Sequence, residues 1–85
     1  MEIKLEIPKY DGNSGLSIHW EDGFEITTKT GKNEILISAN KAGLISLAMQ
    51  LLTLAQDDVP TGNHFHLDEH NSLESGSIAL VIEKA

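Results

Sequence analysis

The chain predicts an α+β domain, a mainly antiparallel sheet in the order β-β-β-β-α-β-β with one helix packed on one face. Three observations carry that expectation. Residues 1–39 alternate apolar and polar side chains with the period of two that half-buried strands require. From Asn40 the apolar residues recur instead at helical spacing, and beyond Pro60 the period of two returns. Its 85 residues suffice for one domain and not for two, so 1–85 is read as a single unit of modest stability.

Ile3, Leu5 and Ile7 alternate with Glu2, Lys4 and Glu6 until Pro8 stops the first strand. Leu16, Ile18 and Trp20 alternate with Ser17, His19 and Glu21, and Phe24 and Ile26 with Glu25 and Thr27. Opposed residues of antiparallel strands share a face, so Trp20 should oppose Phe24 and Ile18 should oppose Ile26. That leaves Glu21-Asp22-Gly23 as a three-residue loop, with Gly23 at its left-handed position. The same parity pairs Ile26 with Ile35 around a turn centred on Thr30-Gly31, and Ile35, Ile37 and Ala39 complete the fourth strand.

Asn40 is the expected N-cap of the helix, and Leu44, Leu47, Ala48, Leu51 and Ala55 are its expected core face. Pro60 and Gly62 are breakers beyond an end near Asp57. The polar stripe is only Ser46, Gln50, Thr53 and Asp57, which leaves an apolar arc of roughly 220°. One sheet cannot cover so wide an arc. Either loops wrap the helix, or Ile45, Met49 and Leu52 meet another chain, as in a homodimer through the helix. After it, Phe65 and Leu67 mark one strand and Ile78, Leu80 and Ile82 another; apolar Ala79 and Val81 suggest that the last strand is interior. The loop between them, His70 to Ser77, is rich in Asn, Ser and Gly and carries a lone Leu73.

Composition narrows the function. With no cysteine, a disulfide framework and a thiolate zinc site are both excluded. Thirteen acidic residues against six basic ones give a net charge of −7, which repels nucleic acid and anionic lipid and favours a cationic partner. The acidity also serves solubility in its own right. The opening residues lack the cationic start and continuous apolar stretch of a secretory signal, and Leu44 to Ala55 is too short to span a bilayer. The cytoplasm is therefore the expected address, with no cofactor expected.

One segment could carry chemistry: His64-Phe65-His66-Leu67-Asp68-Glu69-His70. On a strand His64, His66 and Asp68 form a row on one face, a set able to ligate zinc. The stretch is similar to the metallo-β-lactamase-type pattern His-x-His-x-Asp-His, but His70 lies two residues after Asp68 where that pattern has the histidine next in line. That superfamily also needs a longer chain and ligands downstream, and no histidine follows position 70. Phe65 and Leu67 already explain the alternation, so a polar row on the non-core face is the simpler reading, and no catalytic or metal residue is assigned. There is no phosphate loop and no nucleophile elbow, and Ser72, Ser75 and Ser77 read as turn residues. The face turned from the helix would gather Leu36, Ala79 and Val81 as a small apolar centre, ringed by Ser17, His19, Glu25, Thr27, Ser38, His64, His66 and Asp68. An apolar centre with a polar rim is how a protein interface is built; an ordinary solvated sheet face is the plainer alternative.

From Asn40 to Lys84 the residues also form a longer string. Ala42-Gly43-Leu44 opens it, followed by Leu47-Ala48, Leu51-Leu52 and Leu54-Ala55, then Val59-Pro60-x-Gly62-x-His64-x-His66-Leu67-Asp68-Glu69. Asn71-Ser72-Leu73-Glu74-x-Gly76-Ser77 then leads into Leu80-x-Ile82-Glu83. This string resembles the small bacterial immunity proteins of polymorphic-toxin systems, in the family numbered thirty-two, over about half the chain. The first 39 residues add only strand pattern to the likeness. The resemblance implies a non-enzymatic protein that binds a cognate toxin domain and blocks it. It implies His64, His66, Asp68 and Glu69, with Leu67, as candidate contact residues, and His70 adjoins them on the same segment. The acidic charge would suit a basic toxin. Two other classes remain open, a small binding or assembly subunit without a toxin, and a metal-dependent enzyme built on the His-x-His-x-Asp row.

Overall fold

The tightest turn in the chain sets the first hairpin. Lys32 and Asn33 both take left-handed backbone, with φ of 47° and 67°, the twist that lets a two-residue loop join antiparallel strands. In the computed structural model, which describes residues 1–85, this turn joins β1 (Ile26–Gly31) to β2 (Glu34–Ala39). Then follow α1 (Lys41–Leu54), β3 (His64–Leu67) and β4 (Leu80–Glu83). The fold is α+β, as the sequence predicts, with its strands in two antiparallel pairs, β1–β2 and β3–β4. The register of the first pair differs from expectation. Ile26 faces Ala39 and Thr30 faces Ile35, because the turn lies at Lys32-Asn33 and not at Thr30-Gly31.

The two strands expected before residue 24 do not form. Only an isolated bridge, Asp11 to Gly15, interrupts irregular backbone there. The cause lies in the helix and the residues just after it, whose polar side chains take the hydrogen bonds that strand neighbours would have used. Gln56 accepts from the Tyr10 N–H at 2.9 Å and donates to the Pro8 carbonyl at 2.8 Å. Gln50 donates to the His19 carbonyl at 2.7 Å, and the Ser46 hydroxyl accepts from the Glu21 N–H at 2.9 Å. The expected Glu21–Gly23 loop survives as a turn, with Gly23 at φ 75° and the Trp20 and Phe24 rings stacked 4.5 Å apart.

α1 is consequently turned over relative to its apolar pattern. Ser46 and Gln50 are 0% exposed, whereas Leu44 is 56% and Leu51 49% exposed. Thr53 is also buried, its hydroxyl donating to the Met49 carbonyl, and Gly43, Met49 and Leu54 complete the inward face. Loops do wrap the helix, but on its polar side. The arc of Ile45, Met49 and Leu52 is split, with Met49 buried, Ile45 half-buried and Leu52 exposed. Asn40 is the N-cap: its Oδ1 accepts from the N–H groups of Gly43 and Glu25, and its Nδ2 donates to the Gly23 carbonyl. The helix ends at Leu54, ahead of the expected end near Asp57. Gly43 is a point of close approach, since a Cβ there would lie 2.5 Å from the Glu25 carbonyl oxygen and 2.9 Å from Ile26.

The core gathers Ile26, Leu54, Val59, Phe65, Leu67 and Leu73, flanked by Leu47, Leu80 and Ile82 among others. Leu73, alone in its loop by sequence, plugs this cluster. The segment Glu74–Ile78 closes the free edge of β1: Glu74 N–H donates to the Ile26 carbonyl, Ile78 N–H to the Thr28 carbonyl, and Thr28 N–H to the Ser77 hydroxyl. β4 is not an interior strand. It pairs with β3 alone, and Ala79 and Val81 are exposed. The edge it would have shared is taken up earlier, where Glu74–Ile78 bonds β1.

Candidate functional site

The alternation of β3 buries Phe65 and Leu67 and leaves His64 and His66 on the outer surface. Across the pair, His64 faces Glu83 and His66 faces Val81, so this small sheet presents two imidazoles, a carboxylate and an apolar residue together. The chain then turns sharply around Asp68. Its carbonyl accepts from the N–H groups of Asn71, Ser72 and Leu73, and its Oδ1 accepts from the His70 N–H at 2.9 Å. Asn71 reciprocates, its Oδ1 accepting from Asp68 N–H and its Nδ2 donating to the His66 carbonyl, both at 2.9 Å. With Leu73 driven into the core, this loop is held at both ends.

The five sequence-predicted residues therefore divide by role. Asp68 frames the turn, and Glu69 ties it to Gly76, whose N–H donates to Oε2 at 2.8 Å. The three histidines stand outward. His66 Nε2 lies 3.7 Å from Asp68 Oδ2, and His70 Nε2 lies 3.8 Å from Glu69 Oε1. His66 and His70 thus each have a carboxylate beside them and open solvent on the other side, whereas His64 Nδ1 lies 3.1 Å from the Gly62 carbonyl. Asn71 is the residue that pattern reasoning missed; an Asn following an Asp by three positions in a loop is the signal that could have found it. Val81 and Glu83 join the surface only through strand pairing. The wider apolar centre does not assemble on one sheet, because Leu36 lies opposite Lys29 on the first hairpin while Val81 lies on the second.

No three His, Asp or Glu side chains converge closely enough to hold a metal ion. The Ser72 hydroxyl donates to Asn71 Oδ1, and the Ser77 hydroxyl accepts from the N–H of Thr28 on β1. A hollow of about 430 Å³ between Lys4–Pro8, His19–Glu21 and Met49 is open and brings no nucleophile to a base. The arrangement is suited to contact, through a rigid ridge of exposed imidazoles and carboxylates. No helix is long and apolar enough to cross a membrane.

The model of the family described as Immunity protein 32 matches residues 34–85, more than half of the 85-residue chain. The chain belongs to the Immunity protein 32 family. The match takes in β2, α1, β3 and β4, and with them all five candidate contact residues. Immunity protein families are bacterial, in general bind a toxin partner, and are generally non-enzymatic. No curated protein and no solved structure matches the chain. The N-terminal segment and β1 lie outside the family match, although Ile26 and Thr28 of β1 are almost completely buried.

Proposed function

We propose that this chain is a cytoplasmic immunity protein that binds a cognate bacterial toxin domain and neutralises it by occupying it. Family membership over residues 34–85 is the observation that carries the reading. The contact surface is the ridge of His64, His66, Asp68, Glu69 and His70, which the Asp68–Asn71 turn holds rigid before any partner arrives. A preformed surface loses little conformational entropy on binding. The net charge of −7 favours a basic toxin, with encounter faster at low salt.

The test is co-expression with toxin domains encoded beside this gene. The expected result is restored growth and a complex that survives purification. His66→Ala and His70→Ala should weaken it while leaving the melting temperature unchanged, since both side chains point to solvent. Failure of every neighbouring toxin domain to bind, or undiminished binding by the histidine variants, would sink the function or the surface respectively.

A further inference from the structure

The outward face of α1 and its C-cap carries Leu44, Ala48, Leu51 and Ala55, spaced four, three and four residues apart, the seam spacing of a helix that packs on another helix. Within its own domain this face is only partly covered: Leu44 and Leu51 are about half exposed, Ala48 is half-buried, and the inward face is the opposite one. Large and small residues alternate along the seam. Such a surface fits best against an antiparallel copy of itself, where each leucine meets an alanine.

Charge selects the same partner. From Ala42 to Gln56 no residue is charged, in a chain whose net charge is −7. Two copies can therefore approach along this strip without bringing acid against acid. The charges at its ends are set against the helix's own dipole: Lys41 stands at the N-terminus, no acid lies in the first turn, and Asp57 and Asp58 follow the C-terminus. None of the three forms an ion pair within the chain, where the only close pairs involve His66 and His70. An antiparallel neighbour reverses every one of these placements. With Leu44 against Ala55 of the second copy and Ala48 against its Leu51, Lys41 falls at the C-terminal end of the second copy's helix, which Asp57 and Asp58 follow. Each lysine then caps the negative end of the neighbouring helix.

We propose that a second copy of this chain covers the Leu44–Ala48–Leu51–Ala55 face of α1, forming an antiparallel, two-fold helix pair. The strip is one helix wide and about 21 Å long, small beside the roughly 1,600 Å² of a standard interface. The dimer is accordingly a weak, exchanging one, with dissociation in the micromolar range. It needs no toxin, and its test uses the free protein.

Sedimentation equilibrium from about 1 μM to about 1 mM brackets that affinity. The mass should rise from the 9.3 kDa of one chain towards twice that value. Ala48→Gln, which keeps helix propensity but fills the groove that receives Leu51, should raise the dissociation constant about tenfold or more. The melting temperature of this variant at low concentration should not change. Since the chain has no native cysteine, Lys41→Cys and Asp58→Cys variants report orientation directly. Mixed and oxidised, they should form the heterodisulfide in preference to either homodisulfide. A chain that stays monomeric throughout, a dimer indifferent to Ala48→Gln, or a dominant Lys41→Cys homodisulfide would each overturn the proposal.

Discussion

Gln50 and Leu51 are neighbours with opposite fates, and exchanging each for alanine measures which way α1 faces. Gln50 is 0% exposed and its amide donates to the His19 carbonyl at 2.7 Å. Truncation removes a buried methylene, about 0.8 kcal/mol, and a hydrogen bond worth about 0.5–1.5 kcal/mol net, while orphaning the His19 carbonyl at about 1 kcal/mol or more. One term opposes these. Gln50 Oε1 is buried without a partner, so its removal returns about 1 kcal/mol. The expected net cost is about 2 kcal/mol. Leu51 is 49% exposed, so Leu51→Ala forfeits half of a leucine's transfer energy, about 1 kcal/mol, partly offset by alanine's better helix propensity. Urea melts at about 0.1 μM protein, below the range where helix pairing contributes, should therefore rank Gln50→Ala as the costlier change. The apolar pattern alone gives the reverse order, with about 2–5 kcal/mol for a core Leu51→Ala and under 1 kcal/mol for an exposed Gln50→Ala. A larger loss at Leu51 would refute the inverted helix, and with it the free apolar face.

Other substitutions test the contacts that set this orientation. Gly43→Ala should cost about 1–3 kcal/mol despite alanine's higher helix propensity, because its Cβ would meet the Glu25 carbonyl at 2.5 Å; thermal melts read this directly. Asn40→Ala should cost about 1–2 kcal/mol in urea, losing the cap of α1 and its links to Gly23 and Glu25 together. Leu73→Ala should cost about 2–4 kcal/mol in the same melts, although it lies in a loop, because it is buried in the central cluster. Replacing Lys32-Asn33 by Asn-Gly should raise stability by about 1 kcal/mol, since both positions hold positive φ.

The period of each element was legible where neighbours could not change it. Phe65 and Leu67 alternate inward with His64 and His66 outward because β3 has a core on one side and solvent on the other. Asn40 was legible as a cap because capping is a local act. Legibility failed where a remote partner supplied the hydrogen bonds. Ile3, Leu5 and Ile7 alternate as a strand does, yet no strand pairs with them. Nothing within residues 8–21 shows that Gln56, Gln50 and Ser46 will claim their backbone groups. The proposed contact ridge is half visible in the sequence: His64 and His66 follow from strand parity, whereas Asn71 and Val81 enter only through the folded loop and the neighbouring strand.

The inversion of α1 follows from what it covers. A helix laid on a sheet meets backbone whose N–H and C=O groups are already paired, and an apolar face suits it. A helix laid on irregular backbone meets unpaired groups, and each one buried without a partner costs about 1–3 kcal/mol. Residues 8–21 bring several such groups against α1, and Ser46, Gln50 and Gln56 answer them. The polar stripe must then face inward, and the rigid geometry of the helix sends Leu44, Ala48, Leu51 and Ala55 outward. The exposed apolar face is thus a consequence of how the N-terminal segment is held. Disrupting those three side chains together should release the segment and the helix orientation at once. Ser46→Ala, Gln50→Leu and Gln56→Leu combined should deprotect the amides of Tyr10 and Glu21 to hydrogen exchange. The helix-paired dimer should weaken in the same variant, whereas persistence of both protection and pairing would show that the segment is held by other means.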